Sequence, residues 1–176
     1  YQLVLLGTDQ KDIDKASESA MQLIYGYPAN SQVSDAFMLI ADYYYGSKQY
    51  VTAAGIYKRI IERFPENPKV DLILYRVALC YYRAGSLDST KPDAAAYGNA
   101  IKTFLEFADK YENSELADDA LYWAANAYNK LRDTRKAYTL LTKLLIAYPT
   151  SDKKGDAQSL RDKMKEDNPN LEADLF

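Results

Sequence analysis

An internal repeat governs what this chain can become. Three segments end alike: Tyr27-Pro28-Ala29-Asn30-Ser31, Phe64-Pro65-Glu66-Asn67-Pro68 and Tyr148-Pro149-Thr150-Ser151. A fourth, Tyr111-Glu112-Asn113-Ser114, carries Glu where the others carry Pro. The steps from position 28 to 65, 65 to 112 and 112 to 149 are 37, 47 and 37 residues. A period of this size signals stacked supersecondary units, none of which can bury its apolar face alone.

The interior of the repeat recurs as well. Phe37, Ile40, Ala41 and Tyr44 return as Leu74, Val77, Ala78 and Tyr81, and again as Leu121, Ala124, Ala125 and Tyr128. Downstream, Ala53 with Tyr57 returns as Ala100 with Phe104 and as Ala137 with Leu141, while Ala16 with Ala20 is a faint first copy. Spacings of three and four are helical, so each repeat reads as two amphipathic helices. The small Ala belongs where two helices approach closely, and the large residue a turn away fills the groove beside it. Pro ends each second helix, and the Asn or Ser after it caps the next.

These signals predict a single all-α array over residues 1–167. Its repeats fall near 1–30, 31–67, 68–113 and 114–151. A capping helix follows over 152–167, with Ala157, Leu160 and Met164 on one side, and then a loose tail over 168–176. The count is nine helices, the first of them partial, near residues 2–7. The ten additional residues of the third repeat lie between its helices, around Gly85-Ser86-Leu87-Asp88-Ser89-Thr90-Lys91-Pro92-Asp93. Pro92 is expected in the first turn of the helix that follows, with Thr90 or Lys91 ahead of it.

Composition removes several kinds of chemistry. There is no His and only one Cys, which excludes Ser-His-Asp and Cys-His catalysis, His-based metal sites and an internal disulfide. No catalytic residue, metal ligand or cofactor site is expected. With 22 Lys and Arg against 25 Asp and Glu, the net charge of -3 argues against a nucleic-acid partner. No apolar run is long enough to span a membrane. The chain opens at Tyr1 without an initiator Met or a basic leader, and reads as processed or trimmed. Asp118-Asp119 points in two directions on a helix and reads as charge near a helix N-terminus. Cys80 reads as a buried small hydrophobe, and Lys153-Lys154 as a solvated turn.

The pattern of residues 37–65, a large residue, a Leu-like and a small residue, Tyr, then Ala with an aromatic and finally Pro, resembles the tetratricopeptide repeat. Repeats three and four match less fully, and repeat one retains little beyond Ala16 and Pro28. The resemblance implies a right-handed superhelical solenoid of antiparallel helix pairs. The period of 37 exceeds the usual tetratricopeptide period of about 34. The longer period and the Tyr-Pro-x-Ser ending are similar to a bacterial envelope branch, which includes the Tol-Pal coordinating type and the BamD-type outer-membrane assembly lipoproteins. Residues Tyr148-Pro149-Thr150-Ser151-Asp152, with Ala157-Gln158 and Leu160, resemble the first type, and the inserted third repeat resembles the second.

In such a solenoid the first helix of each repeat lines the concave face. Residues one step round the helix from the buried positions are expected to face that groove. These are Met38, Asp42 and Tyr45 in repeat two, Tyr75, Leu79, Tyr82 and Arg83 in repeat three, and Tyr122, Asn126, Asn129 and Lys130 in repeat four. Tyr is well suited to binding another chain. It also packs between helices with its hydroxyl at the rim, and both readings stand for Tyr45, Tyr75, Tyr82 and Tyr122. Tyr44, Tyr57, Tyr81 and Tyr128 are assigned to the core, and Trp123 to packing between repeats. Tyr75 and Tyr122 stand where a carboxylate clamp of the co-chaperone kind would need cations, so an extended or helical apolar peptide fits better.

The expected function is a non-catalytic scaffold that binds a protein or peptide segment in the concave groove, in a bacterial envelope complex. The resemblance places it in the periplasm or at the periplasmic face of the outer membrane, with any lipid anchor outside this chain; the cytoplasm stays open. The alternative is a structural outer-membrane assembly subunit of the BamD type that uses its lateral surfaces and the loop over residues 86–91.

Overall fold

A computed structural model describes residues 31–171 apart from Ser89, together with Lys15. The expected repeat over 1–30, with its partial helix near 2–7, lies outside the described residues, as do 172–176. The seven helices among the described residues are α1 (Ser31–Gly46), α2 (Tyr50–Arg63), α3 (Val70–Gly85), α4 (Ala94–Lys110), α5 (Ala117–Lys130), α6 (Thr134–Ala147) and α7 (Lys154–Asp167). A 3-10 turn follows at Pro169–Leu171, where the loose tail was expected to have begun. The chain forms two compact units, residues 1–80 and 81–176, with the boundary inside α3 after Cys80.

In unit one, α1 packs against α2. The repeated alanines lie in the core, as their size allows: Ala41, Ala53 and Ala78 have no exposed surface. Phe37, Ile40, Tyr57, Ile60, Ile73 and Val77 fill the space beside them, each at most 1% exposed. Burial of side chains this large stabilises by roughly 1.5–3 kcal/mol each. Leu74, the third-repeat equivalent of Phe37, is only half-buried.

Unit two repeats the arrangement. Helix α5 packs on α4, α6 on α5, and α7 on α6. Ala100, Ala125 and Ala137 are fully buried, beside Phe104, Phe107, Leu141 and Leu144. Helix α7 buries only Ala157 and Met164, with Leu160 half-buried and the rest of its surface polar, as suits a terminal helix.

Three turns at the ends of second helices share one hydrogen-bond pattern. The amides of Phe64, Tyr111 and Tyr148 donate to the carbonyls of Ile60, Phe107 and Leu144, each at 2.8 Å. The carbonyls of the same three residues then accept from Asn67, Ser114 and Ser151. The side chains of Asn67, Ser114 and Ser151 in turn accept from the amides two residues on. These are the Asn and Ser of the sequence repeat, placed where the first turn's amides need acceptors. Helix α4 begins differently from expectation. Asp93 is its cap, accepting from Ala95 and Ala96, so Pro92 precedes the helix instead of entering its first turn. A carboxylate on the last residue before the helix satisfies two orphan amides, which a Thr90 or Lys91 cap would have left to water.

Candidate functional site

Two constellations join first helices of the repeats to second helices, one in each unit. In unit one, Asp42 of α1 and Arg76 of α3 form an ion pair over Tyr57 of α2. Asp42 Oδ1 accepts from both the Tyr57 hydroxyl and Arg76 Nη1. Arg76 Nη1 also donates to the Tyr57 oxygen at 3.2 Å, and the guanidinium carbon sits 6.0 Å from the Tyr57 ring centre. Tyr57 is only 1% exposed, which fixes the base of the group. Burial, then the hydrogen bond to Asp42, pushes the Tyr57 hydroxyl well above its ordinary range. The hydroxyl therefore stays a donor. Around this group Leu79 and Tyr45 are half-buried, and the Tyr45 ring packs edge-on to Tyr50 at 5.2 Å.

In unit two, four aromatic rings form an edge-to-face ladder. Tyr97, 1% exposed, meets Tyr82 at 5.4 Å; Tyr82 meets Trp123 at 5.0 Å; Trp123 meets Tyr122 at 5.5 Å. Each such contact adds about 0.5–1.5 kcal/mol beyond area burial. The ladder runs from buried Tyr97 to half-buried Trp123 and Tyr122. Burial lifts the Tyr82 hydroxyl to about 12, with Tyr97 and Tyr122 adding and Arg83 opposing. Asn126 donates to the Tyr122 carbonyl at 3.0 Å, so one of its amide hydrogens is committed to its own helix. Asn129 is half-buried, and Arg83 and Lys130 are exposed.

The structure thus divides the residues expected to face the groove. Asp42, Tyr45, Leu79, Tyr122, Asn126 and Asn129 are half-open, and Arg83 and Lys130 fully so. Met38, Tyr75 and Tyr82 are not open; they are 9%, 6% and 7% exposed. One step on the helical wheel is a rotation of about 100°, and a helix flanked by neighbours covers more than one stripe. Of the Tyr assigned to the core, Tyr44 and Tyr57 are buried, whereas Tyr81 and Tyr128 are half-buried. Trp123 does join repeats, packing its ring on Tyr82 of α3.

Two functional-looking residues were missed. Arg76 stands alone among apolar neighbours in α3, and an isolated charge in such a run needs a partner. That signal was available in the sequence. Lys153 was read as part of a solvated turn, yet its ammonium reaches Asp152 at 2.7 Å and Asp119 at 3.1 Å, and the side chain is 22% exposed. The hydrogen bond to Asp152 comes first in raising its pKa, with Asp119 adding to it against burial. Cys80 is fully buried, and burial pushes its thiol up to about 12. Among the described residues no three Cys, Asp or Glu side chains are grouped to hold a metal, and no helix is long and apolar enough to cross a membrane.

With this geometry in place, comparison with known proteins gives the chain its relatives. The sequence profile of YfiO, described as an outer membrane lipoprotein, matches residues 1–133. The chain belongs to the YfiO family. A tetratricopeptide-repeat profile matches residues 119–151 of this YfiO-family chain, the stretch that builds most of α5 and all of α6. A curated relative is the outer membrane protein assembly factor BamD of Caulobacter vibrioides, 31% identical over 91 residues. That match covers 51% of this chain and 29% of the relative's length. The tetratricopeptide profile and the seven described helices bear out the all-α tetratricopeptide reading, and the YfiO profile and the relative favour the BamD type over the Tol-Pal type.

Proposed function

We propose that the chain is a non-catalytic interaction scaffold of an outer-membrane assembly complex, working at the periplasmic face and holding a protein segment on the first helices of its repeats. The observation that carries this reading is the aromatic ladder of unit two. Trp123 and Tyr122 are left half-open at its end; Arg83, next to Tyr82 in sequence, and Lys130, the last residue of α5, are exposed. Rings fixed by neighbouring rings offer contact area at low entropic cost, which suits recognition of another chain. The open residues of these helices, Asp42, Tyr45 and Leu79 in unit one and, separately, Arg83, Tyr122, Asn126, Asn129 and Lys130 in unit two, suit an extended or helical segment better than a carboxylate terminus. Tyr122→Ala is expected to weaken partner capture from envelope extract at least tenfold with unchanged helicity by circular dichroism. A partner indifferent to Tyr122→Ala and Trp123→Ala would contradict the groove.

A second reading has its own support in the loop of the third repeat. Asp88 Oδ1 accepts from the Thr90 amide at 2.8 Å, the Thr90 hydroxyl at 2.6 Å and the Lys91 amide at 3.3 Å. The amide of Asp93 returns to the Gly85 carbonyl at 3.1 Å. This tied loop presents Leu87 at 59% exposure. Under this reading Leu87→Ser abolishes assembly while Tyr122→Ala does not, and the reverse result selects the groove.

A further inference from the structure

The Asp42–Arg76 pair holds unused hydrogen-bonding groups of opposite kinds side by side. Arg76 commits only Nη1; its Nε and Nη2 groups have no partner among the described residues. Asp42 commits only Oδ1, and its Oδ2 likewise has none among the described residues. A purely structural Arg–carboxylate pair tends to engage the guanidinium fork through two bonds. Here the fork is left open. The side chains are 34% and 42% exposed, so the pair is open to solvent. The buried Tyr57 fixes both partners from beneath, so little side-chain freedom remains to be lost on binding.

We propose that Asp42 and Arg76 clasp the main chain of an extended segment of a protein partner, Arg76 donating to a carbonyl and Asp42 Oδ2 accepting a backbone N–H. This rests on the groove reading above. The pair carries no net charge, so a carboxylate meets Asp42 and an ammonium meets Arg76, and neither is favoured. A peptide group is neutral and offers one donor and one acceptor. An extended strand has both free, whereas a helix has spent them internally. On α1, Leu39 and Tyr45 flank Asp42 by one turn on either side, at 38% exposed and half-buried, ready for alternate side chains of the segment. Recognition of this kind tolerates varied sequences.

The test uses the whole chain and a random library of capped twelve-residue peptides, with retained peptides remade carrying one N-methyl group at each backbone nitrogen in turn. The expected result is one position at which N-methylation weakens binding about tenfold. That penalty vanishes in Asp42→Asn, which turns its outward acceptor into a donor, and overall affinity falls in Arg76→Lys, which loses the fork. The non-additivity within Asp42→Asn separates the clasp from a structural role, which would lower the melting temperature and leave the penalty intact. Peptides retained equally with every N-methyl form, or with a penalty unchanged in Asp42→Asn, overturn the clasp and leave the groove standing. Peptides that depend on an Asn or Gln side chain and tolerate all N-methylation overturn the main-chain assignment. A chain that retains no peptide overturns the groove reading itself, and the clasp with it.

Discussion

Gly85 closes α3 against a neighbour that leaves no room for a side chain. A Cβ added there would lie 2.9 Å from Cγ of Tyr97 and 3.0 Å from both Cδ atoms. Tyr97 is 1% exposed and anchors the aromatic ladder, so its ring has nowhere to retreat. Gly85→Ala is therefore expected to cost about 1–3 kcal/mol, read as a drop in melting temperature. Tyr82 gives a pH signature. Its hydroxyl is held near 12 against the ordinary 10.0, so the folded state favours the neutral form. The stability this contributes is complete below pH 10 and is lost as pH rises through 12. Alkaline titration followed by circular dichroism should show unfolding in that window, and Tyr82→Phe should move the onset to higher pH. At this scale the sequence was legible for residues that recur: the alanines and Tyr57 sit where periodicity put them. Arg76 and Lys153 recur nowhere; the apolar run around Arg76 signals that it needs a partner, but only the fold supplies Asp42, and nothing in the sequence pairs Lys153 with Asp119. Met38, Tyr75 and Tyr82 were misplaced because a wheel gives direction but not how far a neighbouring helix reaches.

The helices and their turns carry the repeat more faithfully than the letters do. Glu112 occupies the place of Pro65 and Pro149, yet Tyr111 before it has φ -125° and ψ 48°, close to Phe64 at -126° and 61° and Tyr148 at -126° and 67°. The backbone is already suited to proline. Glu112→Pro is expected to raise stability by about 0.4–1 kcal/mol, measured by urea unfolding, because it restricts the unfolded chain. The turns between α1 and α2 and between α5 and α6 also match. Each places a non-glycine residue in the left-handed region, Lys48 and Arg132, both at φ 60°. The amides that follow, of Gln49 and Asp133, return to the Tyr44 and Tyr128 carbonyls at 2.8 and 2.9 Å. Arg132→Gly is expected to be neutral or stabilising by up to about 1 kcal/mol in the same assay, since glycine meets no Cβ penalty there. No glycine stands at either left-handed position: Gly46 ends α1 two residues before Lys48, and the α5–α6 turn has none. The start of α4 was misread for a related reason: Pro92 and Asp93 both qualify as starting signals, and the carboxylate won by satisfying two amides.

For the molecule as a whole, the repeat made the helical class and its kinship to envelope tetratricopeptide proteins readable before any coordinate. Which residues of the first helices stay open was not readable, because that depends on which positions neighbouring helices cover. The proposed contact with another protein lies on the first helices of the repeats, at Tyr122 above all. Site-specific photo-crosslinking in the intact cell envelope tests this most directly. A photoreactive side chain would be placed at 122, at 87 on the loop of the third repeat, and at the exposed position 102 on α4. The predicted result is a discrete cross-linked protein from 122 and none from 102. Cross-links from 87 or 102 with none from 122 would contradict the account.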